Sequence, residues 1–240
     1  MEQVYTFNAG PSVQIDFLVR NDKEKLQYEG FSEREIETQI WIKSFQENGV
    51  FLDVGANIGL FSILASQIHP DLKVISFEPH IPCFETLFQN IKINKSENVL
   101  PINIALSNKN ELNTFNYMKT QSGTAKSVFG KSIDYQGNEF NPQLSLPALS
   151  LKGDTFFEIY NLEIPNYIKI DVDGIEMDVL QGMTNILKSS NLKSIMVEAN
   201  SERMEQELHL FMLKYGFKIF QIQNKNWKTA KTRNNFFERN

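Results

Sequence analysis

The sequence predicts an α/β domain in which a mostly parallel sheet carries helices on both faces. Two observations lead there. From residue 50 onward, short apolar runs of strand length alternate with stretches of helical periodicity, which implies βαβ crossovers. Acids and glycines then stand at the ends of those runs, where open α/β sheets bind ligands. Size agrees with one unit, because a chain of 240 residues with 41% hydrophobic content fits a single large core.

The elements follow in order. Residues 4–8 and 13–19 flank Asn8-Ala9-Gly10-Pro11, whose turn formers predict a β-hairpin. Ser32-Glu33-Arg34-Glu35 has the spacing of a capping box. It predicts an amphipathic helix with Ile36, Ile40 and Phe45 on its apolar side, ending near Gly49. Strands are expected at Val50–Val54, Lys73–Phe77, Val99–Ala105, Tyr167–Val172, Ser194–Ala199, Phe217–Gln223 and Asn234–Phe237. Helices are expected over Gly59–Ile68 and Pro82–Ile93, and after the fourth and fifth strands. Residues 120–145, rich in Gly, Ser, Asn and Gln, read as an insertion over the site. The whole, residues 1–240, is expected to be one domain. Residues 1–49 form its N-terminal hairpin and helix, 50–223 its core, and 224–240 a C-terminal loop and strand.

Composition removes several classes of function. With 19 Phe and 12% aromatic residues the chain is not disordered. A net charge of −5 argues against a protein that coats nucleic acid or an anionic membrane. Cys83 is the one cysteine, so there is no internal disulfide and no cysteine-based zinc site. No signal peptide and no membrane-length apolar run is visible, and a cytoplasmic location is expected. Oligomeric state is not legible.

The chemistry sits at the strand ends. Asp53-Val54-Gly55-Ala56-Asn57-Ile58-Gly59 is a glycine turn between a strand and a helix. Glu78 ends the next strand, at the offset of an acid that accepts hydrogen bonds from ribose hydroxyls. A nucleoside-containing cofactor is therefore expected. A dinucleotide site would carry G-x-G-x-x-G, whereas this turn is G-x-x-x-G with Asp53 close by. An anion disfavours a diphosphate and favours a cationic ammonium or sulfonium. S-adenosylmethionine has both cations.

Several runs together make a resemblance. Phe51–Gly59 is similar to motif I of class I methyltransferases. With Phe77-Glu78-Pro79, Asn103-Ile104-Ala105-Leu106-Ser107 and Ile168-Lys169-Ile170-Asp171-Val172-Asp173-Gly174-Ile175-Glu176 it resembles the FkbM-type methyltransferases. Asp173 departs from the family, which more often has Glu there. The resemblance implies a Rossmann-like class I methyltransferase fold, with seven strands and the last antiparallel. It implies that Asp53, Gly55, Ala56, Asn57 and Gly59 hold the amino-acid end of S-adenosylmethionine. Glu78 with Pro79 takes the ribose, Asn103 to Ala105 border the adenine, and Lys169 and Asp171 stand near the transferred methyl. The implied acceptor is a hydroxyl of a sugar, glycan or small metabolite.

Alternate residues of a strand share a face, so Lys169, Asp171 and Asp173 are expected on one side. Either Asp171 or a Lys169 of lowered pKa would serve as the base for an acceptor hydroxyl. The alternative for that pair is a structural ion pair. Glu176 reads either as part of the motif or as a first-turn acid favoured by the helix dipole. His80 reads as a loop residue or as one approaching the cofactor. Lys225, Lys228, Lys231 and Arg233 read as a solvated basic loop. Asp171, Asp173, Glu198 and Asn200 make a Mg²⁺ site conceivable but not favoured. Two rival functions remain at this level: an NAD(P)-dependent oxidoreductase, and a non-catalytic binding module on the same scaffold.

Overall fold

The computed structural model describes residues 3–11, 13–46, 48–125, 127–132, 139–222 and 232–239. The chain opens with the expected hairpin, β1 (Gln3–Gly10) against β2 (Val13–Val19). An unexpected helix follows, α1 (Asp22–Phe31), started by Asn21, whose side chain accepts from the amides of Lys23 and Glu24. Its buried residues are Glu24, Tyr28 and Phe31, a mixed set with no apolar stripe to announce it.

The capping box is not realised. Ser32 instead closes α1, donating its amide to the Gly30 carbonyl. The next helix, α2 (Ile36–Lys43), starts after Glu35, which is left-handed at φ 52 and makes no side-chain cap. The expected apolar side is also wrong, since Ile36 and Ile40 are 47% and 56% exposed. Trp41 decides which side is buried. It packs edge-on against Phe45, Phe51 and Phe236 and donates its indole N–H to Ser194 Oγ at 2.9 Å. The helix ends at Lys43, and beyond it Phe45 stacks flat on Tyr167 with ring centroids 3.7 Å apart.

The central part runs β3 (Val50–Val54), α3 (Leu60–Ile68), β4 (Lys73–Phe77), α4 (Ile81–Ile93) and β5 (Val99–Ile102). After an excursion come α5 (Gly153–Ile159), β10 (Tyr167–Ile170), α6 (Glu176–Gln181), α7 (Thr184–Lys188), β11 (Ser194–Ala199), α8 (Glu202–Leu213), β12 (Phe217–Ile222) and β13 (Arg233–Arg239). The seven strands lie in the order β12-β13-β11-β10-β3-β4-β5. β13 alone is antiparallel to its neighbours, as the resemblance implied. Strand order reverses between β3 and β10, so the crevice of the sheet opens where their carboxyl ends meet.

The excursion is larger than a loop insertion. The strand expected over Val99–Ala105 breaks after Ile102. β6 (Ala105–Leu106), β7 (Glu111–Tyr117), β8 (Val128–Phe129) and β9 (Leu144–Leu151) then form a second sheet in the order β6-β9-β7-β8. Asn113 and Asn116 in β7 and Pro147 in β9 disguise these strands, because such residues are depleted in sheets. The basic loop with Lys225, Trp227, Lys228 and Lys231 lies outside the described residues. Among the described residues no helix is long and apolar enough to cross a membrane.

Alternation along the strands divides the core in two. Val50, Leu52, Val54, Ile168 and Ile170 face the cluster that holds the second sheet and α5 to α8. Phe51, Val74, Tyr167 and Met196 face the hairpin and α1 to α4. On the side of α2 the burial pattern gives a direct check. In urea denaturation Ile40→Lys should change stability by no more than ~0.5 kcal/mol. Ile42→Ala, at a fully buried position, should cost about 2–5 kcal/mol.

Candidate functional site

The site starts from the turn after β3. The amides of Gly55 and Ala56 both donate to the Phe77 carbonyl at 3.0 Å, which bends the chain over the end of β4. Gly55 has φ +81, and a Cβ there would lie 1.9 Å from the Asp171 carbonyl oxygen. Only glycine lets the two strand ends approach this closely. Asn57 is also left-handed, at φ 50. Gly59 precedes α3, where a Cβ would press on Leu87, so its part is packing.

Below the turn lies a buried charged row. Asp53 on β3 stands directly opposite Lys169 on β10. The carboxylate and ammonium are 3.6 Å apart, exposed by only 1% and 2%. Asp53 Oδ2 accepts from Ser62 Oγ at 2.6 Å, and Ser62 accepts from Ser76 Oγ at 2.8 Å. Lys169 also reaches Asp171 at 3.1 Å and lies over the Phe61 ring at 5.1 Å. Burial pulls the Lys169 pKa down, but Asp171, Asp53 and Glu35 outweigh it and the net direction is up. The lowered pKa that would make Lys169 a base is therefore not found. Burial pushes Asp53 up against the pull of Lys169 and Ser62.

Glu78 closes the β4 end and is 6% exposed. Its two oxygens accept from the amides of Asn57 at 2.7 Å and His80 at 2.8 Å. Burial outweighs these bonds and raises its pKa to about 7. Asn103 donates its side-chain amide to the Glu78 carbonyl at 2.8 Å. His80 caps α4 by accepting from the Cys83 amide at Nδ1, while Nε2 pairs with the Lys119 carbonyl at 2.8 Å. The neutral Nε2–H tautomer satisfies both bonds. Burial lowers its pKa and favours that form.

Two cavities meet at the turn. The first is lined by Glu78, Pro79, His80, Ala105, Phe115 and Thr124 among others. The second is lined by Gln27, Glu35, Ala56, Phe61, Lys169 and Glu198 among others. Gly55, Asn57, Ala125, Asp171 and Asp173 border both. Asp53, Gly59 and Asn103 border neither. Asp53 is spent on Ser62 and Lys169 beneath the turn, Gly59 on packing, and Asn103 on holding the Glu78 backbone. Thr124 and Phe129 lie in the 120–145 segment expected over the site, and Gln27 and Glu35 in the N-terminal additions, but the sequence singles out none of these, nor Phe115, as a site residue. No strand-end pattern reaches them.

β10 ends at Ile170, so Asp171 and Asp173 stand in the turn beyond it, Asp173 at φ 59 and Gly174 at φ 115. Glu176 holds that turn. Its Oε1 accepts from the amides of Gly174 at 3.0 Å and Val172 at 3.4 Å. The side chain is 1% exposed, Oε2 has no hydrogen-bond partner, and burial raises the pKa to about 7. Burial and Asp171 likewise hold the Glu198 carboxyl well above its usual range. Asp171, Asp173 and Glu198 all border the second cavity, but the described residues contain no group of three or more His, Cys, Asp or Glu able to hold a metal ion. The Mg²⁺ alternative has no support in this geometry.

The charged row gives a stability test. Lys169→Met would leave Asp53 buried without its cation and should cost about 3–5 kcal/mol, read from chemical denaturation.

Comparison with known proteins agrees with this geometry. The model of the methyltransferase FkbM domain matches residues 53–219. Hexuronic acid methyltransferase AglP of Haloferax volcanii is 28% identical over 162 residues, covering 67% of this chain and 61% of that protein. Methyltransferase 1 of Beauveria bassiana is 27% identical over 155 residues, covering 59% and 61%. The chain thus spans about three-fifths of the length of these curated relatives. Among solved structures, methyltransferase FkbM from Methylobacillus flagellatus superposes with a TM-score of 0.55 at 12% identity, over 80% of this chain and 45% of that one. Precorrin-6y C5,15-methyltransferase from Geobacter metallireducens gives 0.52 at 13% identity, over 85% of both chains. These structural likenesses show the fold, the family match removes the nicotinamide reading, and the chain belongs to the S-adenosylmethionine-dependent FkbM methyltransferases.

Proposed function

We propose that this chain transfers a methyl group from S-adenosylmethionine to a hydroxyl of a sugar or small metabolite. One observation carries the reading: two cavities of different character share the edge formed by Gly55, Asn57 and Asp171. The first has a nucleoside's requirements, with a carboxylate at Glu78 and apolar walls at Ala105, Phe115 and Phe129. The second is lined by acids and by Lys169. The residues fit the donor. Asn57 Oδ1 is a buried acceptor without a hydrogen-bond partner at the shared edge. When bound, S-adenosylmethionine supplies a methyl group on a cationic sulfur.

The roles of this chain's residues follow. Glu78 accepts hydrogen bonds from the ribose hydroxyls, with Pro79 and Ala105 beside the nucleoside. Gly55, Ala56 and Asn57 hold the amino-acid end, and the nearby acids favour its cationic groups. Asp171 would take the proton of the acceptor hydroxyl whose oxygen receives the methyl group. Lys169, kept as an ammonium, fixes the Asp171 carboxylate at the shared edge and is not itself the base. Asp53 supports this from below by holding Lys169. The name of the Haloferax relative supports a sugar-type acceptor.

Two measurements test the reading. Ribose hydroxyls bind the ionised form of Glu78, whose pKa in the free protein is about 7. Affinity for S-adenosylhomocysteine should therefore rise up to about tenfold between pH 6 and pH 8. Glu78→Gln should bind more weakly and lose that slope; absence of binding by the unaltered chain at millimolar ligand refutes the donor assignment. In a screen of sugars and metabolites with isotopically labelled donor, Asp171→Asn should lower turnover by ~10²–10⁴-fold. Undiminished transfer by that variant refutes the base assignment.

A further inference from the structure

The catalytic scheme above gives no part to Glu24, yet this residue on α1 is completely buried. Its carboxylate gathers donors from three separate segments. Oε2 accepts from the Arg20 amide at 2.6 Å. Oε1 accepts from Thr86 Oγ1 on α4 at 2.8 Å and, in a short contact, from Ser122 Oγ. The Arg20 guanidinium lies 3.5 Å away and reaches on to Glu85 at 2.8 Å. Burying this side chain is costly unless its oxygens are hydrogen-bonded, and here both are.

Ser122 begins the segment that walls both cavities. Its hydroxyl also accepts from Asn21 Nδ2 at 2.9 Å, and the Gly123 carbonyl accepts from Gln27 Nε2 at 3.3 Å. Gly123 has φ +72, and a Cβ there would come within 3.0 Å of the Glu24 amide nitrogen, so the loop and α1 touch backbone to backbone. One residue on, the Thr124 carbonyl accepts from Asn57 Nδ2 at 3.1 Å. Asn57 in turn donates its amide to Glu78. Hydrogen bonds and two residues of loop thus lead from Glu24 to the acid that faces the first cavity.

We propose that Glu24 is a positioning residue for the methyl donor: by clasping Ser122 and Thr86 it fixes the 122–125 wall, and through that wall the Asn57 and Glu78 groups. This rests on the proposed function, in which the first cavity receives the nucleoside of S-adenosylmethionine. The N-terminal helix then belongs to the donor site, although it lies far in sequence from every strand-end motif.

The test is calorimetric titration of the full chain with S-adenosylhomocysteine, together with melting temperatures and amide hydrogen exchange. Glu24→Gln keeps the shape but turns one acceptor into a donor; Ser122→Ala removes a single hydroxyl. Each should raise Kd at least tenfold and speed exchange at residues 122–125. The double variant should be no worse than the weaker-binding single one, since both break the same link. Variants that melt lower but bind with unchanged Kd would show that Glu24 serves folding alone and would overturn the proposal. If Glu24→Gln does not fold, Ser122→Ala decides the matter by itself. An unaltered chain that does not bind the ligand would refute the proposed function first, and this inference with it.

Discussion

A single ion pair organises the centre of this molecule. Asp53 and Lys169 face each other across β3 and β10, where strand order reverses and the crevice opens. Neither charge is tolerable alone at that depth. Together, with Ser62 and Asp171 taking their remaining bonds, they fix the register of the two middle strands. A slip of either strand by one residue would turn its charge to the opposite face, where Leu52, Ile168 and Ile170 lie, and leave the other charge buried without its partner. The pair therefore specifies which strand ends meet, and those ends carry the turn and the acids of the site.

This gives the apparent ligand residue Asp53 a different standing. It resembles a group that touches a cofactor, but it lies under the turn and reaches neither cavity. Its influence passes upward through Lys169 to Asp171, which borders both. The structural and the catalytic reading of Lys169 and Asp171 are thus compatible. The ion pair that stabilises the sheet also holds a carboxylate at the point where the two cavities join.

Much of this was legible in sequence because parallel strands end in a restricted grammar. Gly55, Glu78 and Asp171 each end a strand, and each sits where that grammar puts a ligand group. The parts that were misread obey no such grammar. α1 buries Glu24 and Tyr28 rather than an apolar stripe, so periodicity was silent. The Ser32–Glu35 run had the residues of a capping box, yet the indole of Trp41 settled how α2 lies and left Ile36 and Ile40 outside. The second sheet hid behind Pro147 and the asparagines of β7. Local pattern predicts poorly wherever a long-range contact sets the outcome, and the wall of the site is made of such contacts.

The contact of Gly55 with the Asp171 carbonyl has a mechanical consequence. Two loops from distant parts of the chain are locked backbone to backbone with no room for a methyl group between them. The floor of the crevice is therefore close-packed, with no gap between its two loops. The opposite side is walled by short strands and by residues 122–125 and 127–129 instead of the central sheet. Under the proposed function, a ligand would come and go past that wall, with the strand ends as the fixed side of the crevice.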